Sequence, residues 1–172
     1  EAANPLTLAG RLVPNGGIAN RSWRLVTHET FTPSPSGWSY NTAPLCGHLG
    51  RILGPNFAAT TIQANLTKTL TNLPAHTEIK IELLYHFIDS WDGESGFVQL
   101  DGSDGWRLTR AHSASTEVSA CGAGTWSDLL DVPVTIERAH TASSAAIVVG
   151  STLDQAQNDE SFGISHFRVY VR

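Results

Sequence analysis

The chain has 172 residues, a formal net charge of −5 and only 16% charged residues, about two-thirds of the usual share. Lys68 and Lys80 are its only lysines, so there is no basic field to gather nucleic acid or anionic lipid. The longest apolar stretch, Ala145 to Val149, is far short of the roughly 20 residues of a membrane-spanning helix, and the length fits one domain with a full core.

The chain begins at Glu1 and contains no Met, so a mature or trimmed secreted module is expected. Leu6–Val13 reads as a first strand, followed by a turn at Pro14-Asn15-Gly16-Gly17. A sequon for N-glycosylation stands at Asn20-Arg21-Ser22 and a second at Asn65-Leu66-Thr67. Trp23–His28 is the next strand, and Pro33–Gly37 is a turn rich in Pro and Ser. Cys46 is one of two cysteines; Cys121 is the other. One disulfide uses both, while two separate buried thiols are the alternative; the sequons favour the disulfide, worth about 4 kcal/mol across so long a loop.

Thr60–Leu70 reads as a strand. The clearest one follows at Glu78–Ile88, where Ile79, Ile81, Leu83, Tyr85 and Phe87 share one face. Its opposite face carries Glu78, Lys80, Glu82, Leu84 and His86, polar at first and apolar later, so its far end is expected to run beneath a loop or into the middle of the fold. Phe97–Leu100 and Trp106–Arg110 flank a turn at Asp101–Gly105. Val132–Arg138, Ala145–Gly150 and Phe162–Val171 complete the set, and Gln155–Asp159 reads as a loop rather than a helix. About nine short strands without a helical period predict an all-β, two-sheet antiparallel sandwich of jelly-roll type in one domain over 1–172.

Between strands lies Ile88-Asp89-Ser90-Trp91-Asp92-Gly93-Glu94. Strand parity points Asp89 inward, where an unpartnered carboxylate is costly. Three carboxylates in six residues around a turning Gly suit a hard cation, and calcium takes about six to eight oxygens. Asp89, Asp92 and Glu94 are therefore candidate calcium ligands, as against a solvated acidic turn. A second acidic group, Asp154, Asn158, Asp159 and Glu160, precedes the last strand, and Asp159 or Glu160 is placed to complete such a site.

Three segments carry a resemblance. They are Glu29-Thr30-Phe31 with Gly37-Trp38, Cys46-Gly47 and Leu53-Gly54; Leu73-Pro74-Ala75-His76 with Ile88–Glu94; and Asn158–Ile164. The order is similar to that of extracellular modules on large surface proteins of protists and some bacteria, and covers most of the chain after residue 29. The resemblance implies a galactose-binding-like jelly roll like those of carbohydrate-binding modules. Where such modules often read Gly-Ile-Asp-Asn, this chain reads Gly163-Ile164-Ser165-His166, which removes a carboxylate from that strand.

Sugar rings stack on exposed aromatic faces while their hydroxyls seek polar side chains. Trp91, Trp106 and Trp126 are candidate platforms, although a Trp is usually largely buried. Arg107 and Asp101 lie beside Trp106, and His166 alternates with Ile164 and Arg168 on the last strand, where it could face a groove. The seven histidines show no zinc spacing. No G-x-S-x-G elbow, phosphate loop or dinucleotide fingerprint occurs. The expected function is a calcium-dependent, lectin-like module that binds a glycan or cell-surface glycoprotein outside the cell. A structural module of an extracellular assembly is the alternative, and a small glycan hydrolase using two of the acids is a third reading.

Overall fold

A computed structural model describes residues 22–111, 118–122 and 126–172. The expected strand Leu6–Val13, the turn Pro14–Gly17 and Asn20 lie outside the described residues. The strands are β1 (Arg24–Glu29), β2 (Leu66–Leu70), β3 (Glu78–Asp89), β4 (Asp92–Leu100), β5 (Ser103–Ala111), β6 (Leu129–Ala139), β7 (Ala145–Ser151) and β8 (Glu160–Val171). A single 3-10 turn, Gly47–Leu49, is the helical element among the described residues. Two antiparallel four-stranded sheets result, ordered β1-β8-β3-β6 and β2-β7-β4-β5.

The period-two pattern of β3 explains the sandwich. Ile79, Ile81, Leu83, Tyr85 and Phe87 are all buried against the second sheet, which offers Leu66, Val98, Leu100, Ile147 and Val149. Burying each such side chain contributes about 1.5–3 kcal/mol relative to leaving it in water. At the far end of β3 the outer face is covered too. Ile88 packs with Cys46, Ile52 and Cys121 in a second small core, beneath the loop that carries the 3-10 turn. The two cysteines are joined, with Cα atoms 4.8 Å apart and 75 residues between them in sequence.

Several expected strands change their limits; the strand expected at Trp106–Arg110 already starts at Ser103, which cuts the expected turn Asp101–Gly105 to Asp101 and Gly102. Only Leu66–Leu70 of the segment 60–70 pairs. Ahead of it, buried Gln63 does with its side chain what a strand does with its backbone: Nε2 donates to Phe162 O at 2.8 Å and Oε1 accepts from Phe162 N at 3.0 Å. The fourth strand starts at Asp92, not Phe97, so Asp92-Gly93-Glu94 is strand rather than loop. The chain crosses between sheets over Ser90 and Trp91 alone. Asp101 and Gly102, with φ of 52° and 75°, close the β4–β5 hairpin in a two-residue turn that needs left-handed backbone at both positions.

A β-bulge in β8 matters most for the surface. Opposite β3 the register shifts between Glu82 and Leu84, and His166 takes φ of 52°. The extra residue separates the expected trio: Ile164 points into the core and is fully buried, while His166 turns outward and exposed, on the outer face with half-buried Arg168.

Candidate functional site

Two features outside the core invite a function: an acidic cluster at one end of the sandwich, and a groove on the outer face of the β1-β8-β3-β6 sheet.

The cluster joins Glu94 of β4, Asp154 of the β7–β8 loop and Glu160 at the head of β8; one carboxylate oxygen from each lies within 4.8 Å of the others. Glu94 is half-buried, Asp154 exposed and Glu160 fully buried. Glu160 Oε1 accepts from Gln155 N at 3.1 Å, but its buried Oε2 has no hydrogen-bond partner. Burial, with the charges of Glu94 and Asp154 adding to it, raises the Glu160 carboxyl to about 7 against the Gln155 hydrogen bond. Burial also pushes Glu94 up, yet hydrogen bonds from the backbone N–H groups of Asp92 and Gly93 to Oε2 outweigh it and hold that carboxyl below its ordinary value. Three oxygen donors around an orphaned buried oxygen fit a hard divalent cation, which would replace the missing partner and let Glu160 ionise.

Of the expected ligands, Glu94 and Glu160 belong to this cluster, whereas Asp89, Asp92 and Asp159 do not. Asp89 is buried under the disulfide loop, so close to Gly122 that a Cβ there would fall 1.8 Å from its Oδ2. Asp92 is exposed at the start of β4. Asp159 accepts from Ser90 Oγ at 3.2 Å. The nearby carboxylate that sequence reasoning missed is Asp128. It is buried, and it gathers the N–H groups of Asp89, Ala120 and Cys121 at 3.0, 2.8 and 3.0 Å, locking the end of β3 to the disulfide. Nothing in its sequence neighbourhood, Trp126-Ser127-Asp128, announces this.

The nominated sugar-binding residues scatter. Trp91 has no exposed surface; it packs edge-on to Phe87 and donates Nε1–H to Ser161 O at 2.8 Å, so no ring face meets solvent. Trp106 is half-buried against Tyr85 and the core. Arg107 forms an exposed ion pair with Asp104 at 2.9 Å. Asp101 ties the hairpin, accepting from Ala146 N at 2.8 Å and lying 3.2 Å from His140 Nε2. Trp126 is 41% exposed. Asn65, of the second sequon, is exposed just before β2. Among these residues, His166 lines the groove.

That groove has a volume of about 390 Å³. Leu84 and Pro133 give it an apolar floor, and Glu82, Thr135, His166 and Arg168 give it polar walls. Further along β3, buried His86 accepts from Asp131 N at Nδ1 and so donates from Nε2 to Ser165 Oγ at 2.9 Å. Burial first, and the nearby His166 second, lower His86 to about 4, which keeps it neutral. At the other end of the same face, Lys80 lies over Trp23 and Tyr170 at 5.2 and 4.5 Å, and Arg172 lies over Trp23 at 4.4 Å. Those two rings are therefore already capped by cations.

No protein-family model matches the chain, and no curated protein matches its sequence. Solved structures share its fold. A carbohydrate-binding module described for specific mannan recognition, TmCBM27, is 16% identical, with 88% of this chain and 99% of that one covered and a TM-score of 0.51. The K1 cleaved adhesin domain of Lys-gingipain from Porphyromonas gingivalis is 12% identical, with 85% and 98% covered and a TM-score of 0.51. A family GH115 4-O-methyl-alpha-glucuronidase is 13% identical at a TM-score of 0.45; 99% of this chain aligns with it and spans 19% of that longer chain. At such identities the likeness is one of fold: the chain is an all-β sandwich of the kind seen in carbohydrate-binding modules.

Proposed function

We propose that this chain is a non-catalytic carbohydrate-binding module of a secreted or cell-surface protein, as the Ile88–Glu94 resemblance implies. It takes glycan into the groove between β3, β6 and β8. Calcium is held on Glu94, Asp154 and Glu160 and pins the β7–β8 loop to the sandwich.

The observation that carries this reading is the lining of the groove. Sugars present apolar C–H faces and a rim of hydroxyls, and the groove sets Leu84 and Pro133 beside Glu82, Thr135, His166 and Arg168. The sandwich fold shared with a module described for mannan recognition supports the same reading. Catalysis is the weaker reading, because a catalytic carboxylate must touch the scissile bond and Glu160 has no exposed surface. An adhesive structural module has one feature in its favour: Leu25, on edge strand β1, is 50% exposed.

A glycan array probed in calcium tests the proposal. The exposed Thr135 tolerates a large side chain on the outer face, so Thr135→Trp plugs the groove without entering the core. Binding by the native chain that disappears in this variant is the expected result. Binding that survives in Thr135→Trp moves the site elsewhere, and an array without any binding sinks the carbohydrate reading.

A further inference from the structure

The charges on the groove face are unevenly matched. Glu82 lies 2.7 Å from Lys80, Glu137 lies 3.1 Å from Arg172, and Glu78 pairs with the same Arg172. These three acids thus each have a close cation. Arg168 is matched more loosely: its charge acts on Glu82, the cross-strand neighbour that is already bonded to Lys80, and no ion pair within 4 Å joins it to an acid among the described residues. Its cross-strand neighbours are His28 on β1 and Glu82 on β3. The His28 and His166 rings stack at 6.5 Å beside it, both exposed. The β8 bulge is what brings His166 onto this side, so the fold spends a left-handed, non-glycine residue on gathering these groups.

From this arrangement we propose that the groove selects an anionic glycan, one bearing a carboxylate or sulfate ester, and seats that anionic group on Arg168. This rests on the groove being the sugar site. A half-buried guanidinium whose one acidic neighbour is shared with Lys80 offers a planar fork of donors that matches either oxyanion in bidentate fashion, and its desolvation is already partly complete. Glu82 does not oppose this. Its carboxylate is held chiefly by Lys80, with Tyr170 and the charge of Arg168 adding to it, and remains an acceptor for sugar hydroxyls next to the anionic group. The cation-capped rings of Trp23 and Tyr170 close the far end of the face, which leaves the Arg168 end as the open one.

Isothermal titration of the intact chain with four oligosaccharides of matched length tests the proposal: an oligogalacturonate, its carboxyl-reduced neutral form, a sulfated galactan fragment and the desulfated form. At least one anionic member binds about tenfold or more tighter than its neutral counterpart, and the preference fades as salt is raised. Which anionic member wins separates carboxylate from sulfate. Arg168→Gln abolishes the preference and Arg168→Lys keeps part of it. Arg107→Gln, on the opposite sheet, leaves it unchanged. Equal binding of anionic and neutral forms overturns the anionic assignment while the sugar site stands. Binding of neither, in calcium, overturns both. A preference that survives Arg168→Gln, in a variant with native circular dichroism, overturns the role of Arg168.

Discussion

Replacing Glu160 by glutamine should make the calcium-free protein more stable, although it removes a charged group at the end of a strand. Glu160 is buried, and its carboxyl is raised from 4.5 to about 7. At about 1.4 kcal/mol per tenfold change in proton affinity, ionising it in the fold costs about 3 kcal/mol above pH 7. The sign follows from linkage. A folded-state value above the unfolded one means stability is complete below about pH 4.5 and is lost as pH rises through about 7. Glutamine has the same shape and no charge, and its oxygen still accepts from Gln155 N. In chelator at pH 8, Glu160→Gln should raise the thermal midpoint by about 10 °C, taking about 2–4 °C per kcal/mol for a domain of this length. His86 titrates in the opposite sense: its folded value of about 4 removes stability as pH falls below 6.5. The quantity to follow is therefore the difference between native and variant midpoints, scanned from pH 5 to 8 by differential calorimetry. Calcium should raise the native midpoint and leave the variant unmoved, because an ion bound only by the fold stabilises by mass action. A variant less stable than the native chain in chelator at pH 8, or one that gains equally from calcium, refutes this account of Glu160.

Further consequences concern the parts that hold the site in place. Removing the Asp128 carboxylate in Asp128→Ala leaves three N–H groups without their acceptor and should lower the free energy of unfolding by about 3 kcal/mol or more, read from urea transitions. Reducing the Cys46–Cys121 bond releases a 75-residue separation and should cost about 4 kcal/mol, seen as a lower midpoint in reductant. Trp91→Phe loses the bond to Ser161 O and part of the packing on Phe87, so it should destabilise by about 1–3 kcal/mol while glycan affinity stays unchanged. A loss of affinity without a loss of stability would instead make Trp91 a ligand contact.

The fold was legible because one strand states it. The alternation from Ile79 to Phe87 defines the inner face, and the apolar continuation at Ile88 anticipates the cover that the disulfide loop provides. The acidic cluster was legible only in part. Its members come from two stretches that both read as acidic, but which carboxylates converge depends on a crossing made by two residues, Ser90 and Trp91, and on β4 starting at Asp92. Parity alone sends Asp89 inward without saying that it ends beneath Gly122, far along the chain. The groove was hidden for a different reason. Its polar wall on β3 is visible in the sequence, but simple alternation puts His166 on the face of Ile164, and the bulge reverses that. Trp91 sits in a polar segment and still lies fully in the core, edge-on to Phe87 and bonded to Ser161 O.

The central claim is that sugar enters the groove between β3, β6 and β8. Amide chemical-shift mapping by NMR, with calcium present and the strongest glycan from an array titrated in, tests it directly. The account predicts perturbations centred on Glu82, Leu84, Thr135, His166 and Arg168. Perturbations centred on Asp92–Glu94 or on Trp106–Arg107, or no perturbation at saturating glycan, would contradict it.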